Sequence, residues 1–201
     1  MPSKEVLGII SVLIVAATFV AYFRDMFQGR VKPHSFSWII WGLTTGIAAA
    51  ARTVDEAGAG VWGQWVTAAS CILCGLMAFK YGEKNITRSD LAAFVMALTA
   101  IPAWLATDNP LTAVIIVTII DAIGYYPTIR KTYWHPYEEA LYNYLTANII
   151  HLLSLAATEH YTLTNTLFQI VFLIVNSLMV GMILWRRRCL SPASIPERPI
   201  R

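Results

Sequence analysis

Apolar residues in this chain fall into long blocks that are separated by short polar links. Seven blocks stand out, at roughly 5–23, 36–51, 59–81, 89–106, 110–128, 139–157 and 162–185. Most have about 17 to 24 residues, the length that an α-helix needs to cross the hydrocarbon core of a bilayer. Backbone in lipid must satisfy its own hydrogen bonds, and the alternating segments of a membrane β-barrel do not occur in the sequence. The pattern predicts an all-α, polytopic membrane protein with seven transmembrane helices.

The composition and the placement of charge extend this prediction. Hydrophobic residues make up 57% of the 201 residues and charged residues only 13%, whereas a soluble domain carries about 25% charge. Of the 15 lysines and arginines, only Lys4 and Arg52 fall on one side of the predicted spans. The positive-inside rule then places the amino terminus outside and the carboxyl terminus in the cytoplasm, with the plasma (inner) membrane as the expected location. The basic charge is interpreted as a topology signal, so no nucleic-acid partner is expected.

An offset of 103 residues places Pro33 on Pro136 and Tyr22 on Tyr125. The same offset carries the first three blocks onto the fifth, sixth and seventh. A parallel second copy of a three-helix unit needs one extra span to return the chain, and the fourth block supplies it. We therefore expect one membrane domain, 1–201, in a 3+1+3 arrangement, with repeats at 5–81 and 110–185, a linker helix at 89–106 and a cytoplasmic tail at 186–201. Parallel repeats of this kind place a substrate path between them.

The link after the fifth block, YPTIRKTYWHPYEEAL, resembles the Pro-Gln motif of the PQ-loop superfamily, which includes the SWEET sugar transporters. Pro127 occupies the proline position of the motif. The residues that fit the rest of the motif are Ile129, Lys131, Tyr133 and Leu141. Thr128 replaces the glutamine of the motif. The first link departs further, with Arg24 and Asp25 at the Pro-Gln position, although KPHSFSW keeps the connection into the next helix.

This resemblance implies the 3+1+3 fold with an external amino terminus, and transport by alternating access. Prolines near span ends act as hinges in the family, so the resemblance implies a hinge at Pro127 and no equivalent hinge in the first repeat. It also implies that asparagines and tryptophans facing the central path bind the solute. Asn176 and Trp41 are the candidates that it indicates.

Asp121 is the most informative polar residue of the predicted spans. It lies 11 residues beyond Pro110, so at 1.5 Å per residue it is roughly 16 Å into a core about 30 Å thick. A carboxyl group at that depth is costly when charged and is a candidate for binding a proton or a cation. The functional interpretation is proton coupling. The structural alternative is a hydrogen bond to a neighbouring span.

Asn148 and Asn176 also lie near mid-span, in the sixth and seventh blocks. Each is a candidate for solute binding or, alternatively, for a hydrogen bond between helices. Trp41 lies about a turn deeper than the other tryptophans, which stand near block ends, and Thr45 follows it by one turn. These four residues form the predicted solute site. Few other aromatic residues are expected at mid-depth, which favours a small polar or cationic solute over a large sugar.

The leading hypothesis is therefore a PQ-loop, SWEET-like transporter or facilitator of a small polar solute. Coupling of this transport to protons is part of the hypothesis. A membrane scaffold or receptor-like partner protein without transport is the alternative. An intramembrane enzyme is disfavoured, because HExxH, GxSxG and paired aspartates in facing spans do not occur. The expected partners are the small-molecule solute and the lipid bilayer, with homo-oligomer formation left open. No cofactor and no metal site are expected.

Overall fold

The computed structural model describes residues 3–84, 87–99, 102, 106 and 109–190 of the chain. Within these residues the regular structure is entirely helical. Seven α-helices are defined there: α1 Lys4–Phe27, α2 Ser35–Val54, α3 Trp62–Tyr81, α4 Arg88–Leu98, α5 Pro110–Trp134, α6 Leu141–Ala157 and α7 Leu163–Cys189. Short 3-10 helices, Gly58–Val61 and Pro136–Glu138, precede α3 and α6.

Four of the described helices are long and apolar enough to cross a membrane: α1, α3 with its preceding turn (Gly58–Tyr81), α5 and α7. Helix α2 is not among them because serines, threonines and an arginine lower its hydropathy. Helix α6 has 17 residues, slightly under the span length. The described part of the chain is therefore an all-helical structure with four candidate membrane-spanning helices, as expected of a membrane protein.

The outer surface carries more large apolar side chains than that of a soluble protein. Large apolar side chains on the outer surface are widely exposed, including Leu13 at 63%, Val20 at 70% and Leu178 at 68%. Polar side chains such as Ser11 and Asn165 are buried inside the helices. An exposed apolar surface of this extent suits contact with lipid, while the interior supplies hydrogen-bond partners for buried polar groups.

The six long helices form a closed ring. Helix α3 lies between α1 and α2, and α7 lies between α5 and α6. The two groups meet where α2 contacts α5 and where α6 contacts α1. Helix α4 packs outside this ring against α2 and α5.

Glycines allow a close approach between α2 and α3. A Cβ atom added at Gly42 would lie 2.9 Å from the Ile72 nitrogen, and one at Gly75 would lie 3.0 Å from the Ile39 nitrogen. A Cβ atom at Gly42 would be closer to backbone than real Cβ atoms come, and one at Gly75 would be tightly packed, so the observed packing favours glycine at both positions.

Two expectations about boundaries change. The predicted fourth span, 89–106, is described mainly as α4, whose 11 residues cover about 16 Å, too little to cross a core of about 30 Å. The rest of that block lies largely outside the described residues, so the count of seven spans stays a prediction. Helix α5 continues past the predicted end at 128 to Trp134. Arg130 and Lys131 therefore lie on a helix and not in a link, because hydropathy marks where lipid ends and a helix can extend beyond it.

Candidate functional site

A cavity of about 100 Å³ lies at the centre of the helix ring, and all six long helices contribute to its wall. Each of the six helices contributes at least one polar side chain to the wall. Asp121, Thr45, Trp41 and Asn176, four of the residues singled out in the sequence, line this one cavity. Each of them is buried within the protein.

Asp121 lies 3% exposed on α5 and forms a short hydrogen bond with the Thr44 hydroxyl of α2. Thr44 Oγ1 is also 2.8 Å from the Ile40 carbonyl oxygen. A threonine hydroxyl carries one hydrogen, so it can donate to only one of these oxygens at a time. When Thr44 donates to Ile40, the hydrogen between Thr44 and Asp121 must come from the carboxyl group. When Asp121 is ionised, Thr44 donates to it instead.

Aromatic rings form a continuous wall around part of the cavity. Trp38 and Trp41 are in edge contact at 5.3 Å between centroids, Trp41 is 4.8 Å from Tyr125, and Tyr125 stacks on Phe172 at 5.8 Å. The cavity wall thus contains several aromatic residues besides Trp41, although few were expected at mid-depth. Trp38 stands near a block end in the sequence, but α2 begins at Ser35 and turns the indole inward, where it is 5% exposed.

Two further groups of the predicted site have defined hydrogen-bonding states. The Asn176 side-chain oxygen accepts a 2.8 Å hydrogen bond from the Tyr125 hydroxyl. The Trp41 indole nitrogen is buried without a hydrogen-bond partner. Such an unsatisfied donor at a cavity wall is available to a solute or to water.

Asn148 and Pro127 lie apart from this group. Asn148 is not part of the cavity wall, and its amide nitrogen donates to Ser177 Oγ of α7 at 3.1 Å. This is the interhelical hydrogen bond that was the structural alternative for Asn148. Pro127 lies inside α5, which continues for seven residues beyond it to Trp134, and its assignment as a hinge stays a prediction.

A polar network at one end of the cavity was not singled out in the sequence. Arg52, fully buried on α2, donates from Nη1 to Gln64 Oε1 at 2.5 Å and to Ser154 Oγ at 3.0 Å, and from Nη2 to Thr158 Oγ1 at 3.1 Å. Gln64 Oε1 also accepts from Gln169 Nε2 at 3.0 Å. The network ties α2 and α3 to α6 and α7. In the sequence Arg52 was used only to predict the topology. Gln169, a polar residue inside an apolar block, could have indicated a buried polar network.

His151 completes this network and lines the cavity. Its Nδ1 atom lies 2.5 Å from Gln169 Oε1. The chain of side chains thus runs from Arg52, behind the wall, to an imidazole on the wall.

A buried ion pair lies beyond the opposite end of the cavity, next to the lining residue Tyr144. Lys131 Nζ lies 2.7 Å from Glu139 Oε1, and both side chains are under 10% exposed, at 5% and 9%. Lys131 also donates to the Lys32 carbonyl at 2.5 Å, and the Tyr144 hydroxyl donates to Glu139 Oε2 at 3.1 Å. These contacts join the α1–α2 link to α5 and α6.

A second tie lies nearby. Asp25 forms an ion pair with Arg30 and accepts a 2.9 Å hydrogen bond from the Tyr142 hydroxyl of α6. Asp25 thus contacts a helix in the other half of the ring.

Over the described ranges no three His, Cys, Asp or Glu side chains are grouped closely enough to hold a metal ion. Cys71 and Cys74 are both buried as free thiols. Comparison of the chain with protein-family models, curated proteins and solved structures found no match.

Proposed function

We propose that this chain is a PQ-loop, SWEET-like membrane transporter or facilitator of a small polar solute. The observation that supports this most directly is the central cavity, where Asp121, Thr45, Asn176 and Trp41 come together inside the ring. A scaffold gains nothing from a polar cavity at membrane depth and would fill the same space with leucine and valine. Side chains at both ends tie the two halves together, as an occluded state of a transporter requires.

The order of helices in the ring supports two parallel three-helix repeats joined by a linker helix. In each group the third helix lies between the first and the second, and each second helix meets the first helix of the other group. The 103-residue offset also pairs two buried tyrosines. The ring centroid of Tyr22 lies 4.8 Å from that of Trp38, and the ring centroid of Tyr125 lies 4.8 Å from that of Trp41. An inverted repeat would not place equivalent residues at the same end of the ring.

The size of the cavity limits the solute. An apolar cavity of about 150 Å³ in another protein accommodates benzene, and the cavity here has about 100 Å³. In this state it therefore takes a solute of few heavy atoms, smaller than a hexose. The aromatic rings and the unpaired Trp41 donor suit a compact molecule with one or two polar groups.

The contact between Asp121 and Thr44 supports coupling to protons. The Thr44 hydroxyl can donate either to Ile40 or to Asp121, so the site accommodates both protonation states without moving a helix. Coupling requires such a group to bind the proton in one state and release it in another. The orientation of the chain, with the amino terminus outside, belongs to the same proposal.

The test of this proposal begins with a thermal-shift screen of the purified protein against sugars, amino acids, organic acids, vitamins and cations. A solute that shifts the melting temperature is then followed by uptake into proteoliposomes over a range of external pH. Asp121→Asn should fold, retain exchange and lose the pH dependence. Asp55→Asn, a matched change outside the cavity wall, should keep the wild-type profile. An unchanged profile in Asp121→Asn refutes coupling, and no uptake of any solute favours the scaffold alternative.

Topology is tested by single cysteines in a background without Cys71, Cys74 and Cys189. Glu56 and His160 lie on exposed surface at one end, and Arg30 and Lys84 at the other. We expect cysteines at 56 and 160 to react with an impermeant maleimide on intact cells. Positions 30 and 84 should react only after permeabilisation. The reverse pattern contradicts the proposed orientation.

A further inference from the structure

Arg52 is held in the protein interior by neutral groups. Its side chain is fully buried, and the atoms that accept its hydrogen bonds belong to Gln64, Ser154 and Thr158. Its Nε atom has no hydrogen-bond partner. Three hydrogen bonds to neutral oxygens orient the guanidinium but do not cancel its charge.

No described carboxylate forms an ion pair with Arg52. The nearby acids are otherwise engaged, because Asp55 bonds to the Thr162 hydroxyl and Glu159 pairs with Lys4. The carboxyl-terminal end of α2 offers Arg52 only a partial negative charge, which is smaller than that of a carboxylate. A buried ion without a full partner is strongly unfavourable. The end of the cavity next to Arg52 is therefore electropositive and lacks a counter-charge.

Side chains that hydrogen-bond to Arg52 form part of the cavity wall. Gln64 and Ser154, both hydrogen-bonded to Arg52, line the cavity directly. Because Gln64 Oε1 faces Arg52, its Nε2 group faces away, towards the Thr45 carbonyl at 3.4 Å. That contact is long and uses one of the two N–H groups, so the other can donate to a solute.

We infer that this end of the cavity binds the carboxylate of a small organic acid, whose negative charge compensates Arg52 while the site is occupied. The inference rests on the proposed transport function and names the class of its solute as a small monocarboxylate. A proton carried on Asp121 would make the transported pair electrically neutral. The sequence favoured a small polar or cationic solute, and there Arg52 was placed outside the predicted spans; a carboxylate differs from the cationic alternative.

The test uses sodium acetate and sodium glycolate as probes, with acetamide and glycolamide as neutral matches of the same size. Binding to the full-length protein in detergent is measured from thermal shifts at increasing probe concentration, with sodium chloride at equal ionic strength. We expect each acid to bind at least tenfold more tightly than its amide. Gln64→Glu provides an internal counter-charge in the same shape and should weaken acid binding at least tenfold. Gln64→Met removes the amide donor without adding a charge, so it should weaken acid binding less than Gln64→Glu does.

The outcomes separate this inference from the function on which it rests. Amides that bind as well as acids, or acids whose binding is unchanged in Gln64→Glu, overturn the monocarboxylate assignment. If neutral or cationic solutes are taken up while no acid binds, the assignment fails and the transport proposal stands. If no solute of any charge binds or is transported, both fail.

Discussion

Charge is held differently at the two ends of the central cavity. At one end Lys131 and Glu139 lie 2.7 Å apart and compensate each other within the protein. At the other end Arg52 is also buried, but among the described residues its hydrogen bonds go to neutral oxygens. A closed pair needs nothing from outside, and opening it exposes two charges. The charge of Arg52 is neutralised only when a ligand brings the opposite charge. The Lys131 end is therefore suited to closing the cavity, and the Arg52 end to binding a solute.

The largest expected effect comes from removing one member of the closed pair. Glu139→Gln leaves Lys131 buried without its counter-charge, and we expect the free energy of unfolding to fall by about 3–5 kcal/mol. Reversible unfolding in mixed micelles measures this change. The double variant Lys131→Met with Glu139→Leu should recover much of the loss. If Glu139→Gln costs less than about 1 kcal/mol, the two ends do not differ as described.

The converse change at the other end should act in the opposite direction. Gln64→Glu keeps the oxygen that accepts from Arg52 and Gln169 and adds the missing charge. Hydrogen bonds between ions are roughly twice as strong as neutral ones, so we expect a gain of about 1 kcal/mol in unfolding free energy. The same micelle assay at neutral pH measures it. A loss of more than about 2 kcal/mol would mean that Arg52 is already compensated.

The smallest effects are expected at the rims. Lys4 pairs with Glu159 at 3.3 Å at one end, and Lys32 pairs with Glu138 at 3.0 Å at the other, with all four side chains at least 26% exposed. Lys4→Ala and Lys32→Ala should each cost less than about 1 kcal/mol, and added salt should reduce the cost further. If either variant lost much more unfolding free energy than this, the two ends would differ in their surface ion pairs and not in their buried charges.

Sequence reasoning found the part of the site that depth in the membrane reveals. Asp121 and Asn176 interrupt long apolar runs, and Trp41 lies deeper than its counterparts, so hydropathy singles them out. Arg52 and Gln64 stand near block ends, where polar residues are ordinary. Their burial depends on how α2 and α3 pack against α6 and α7, which a linear pattern does not contain.

The same limit applies to Asn148, which is as deep as the others. The 3.6-residue period places its side chain towards Ser177, whereas Asn143, His151 and Ser154 of the same block face the cavity. Hydropathy also failed to predict where α5 ends, because the last turn of this helix carries the charged residue Lys131. Fold class follows from composition and block length, whereas facing follows from packing.

The hydrogen bonds between Arg52 and His151 have a fixed direction. A guanidinium can only donate, so Gln64 must present its oxygen to Arg52, and the same oxygen accepts from the Gln169 amide nitrogen. Gln169 therefore presents its own oxygen to His151, whose Nδ1 must carry the hydrogen. In the neutral imidazole this leaves the lone pair on Nε2. Arg52 thus selects the tautomer of a ring on another helix that it does not touch, and without Arg52 both amides could reverse.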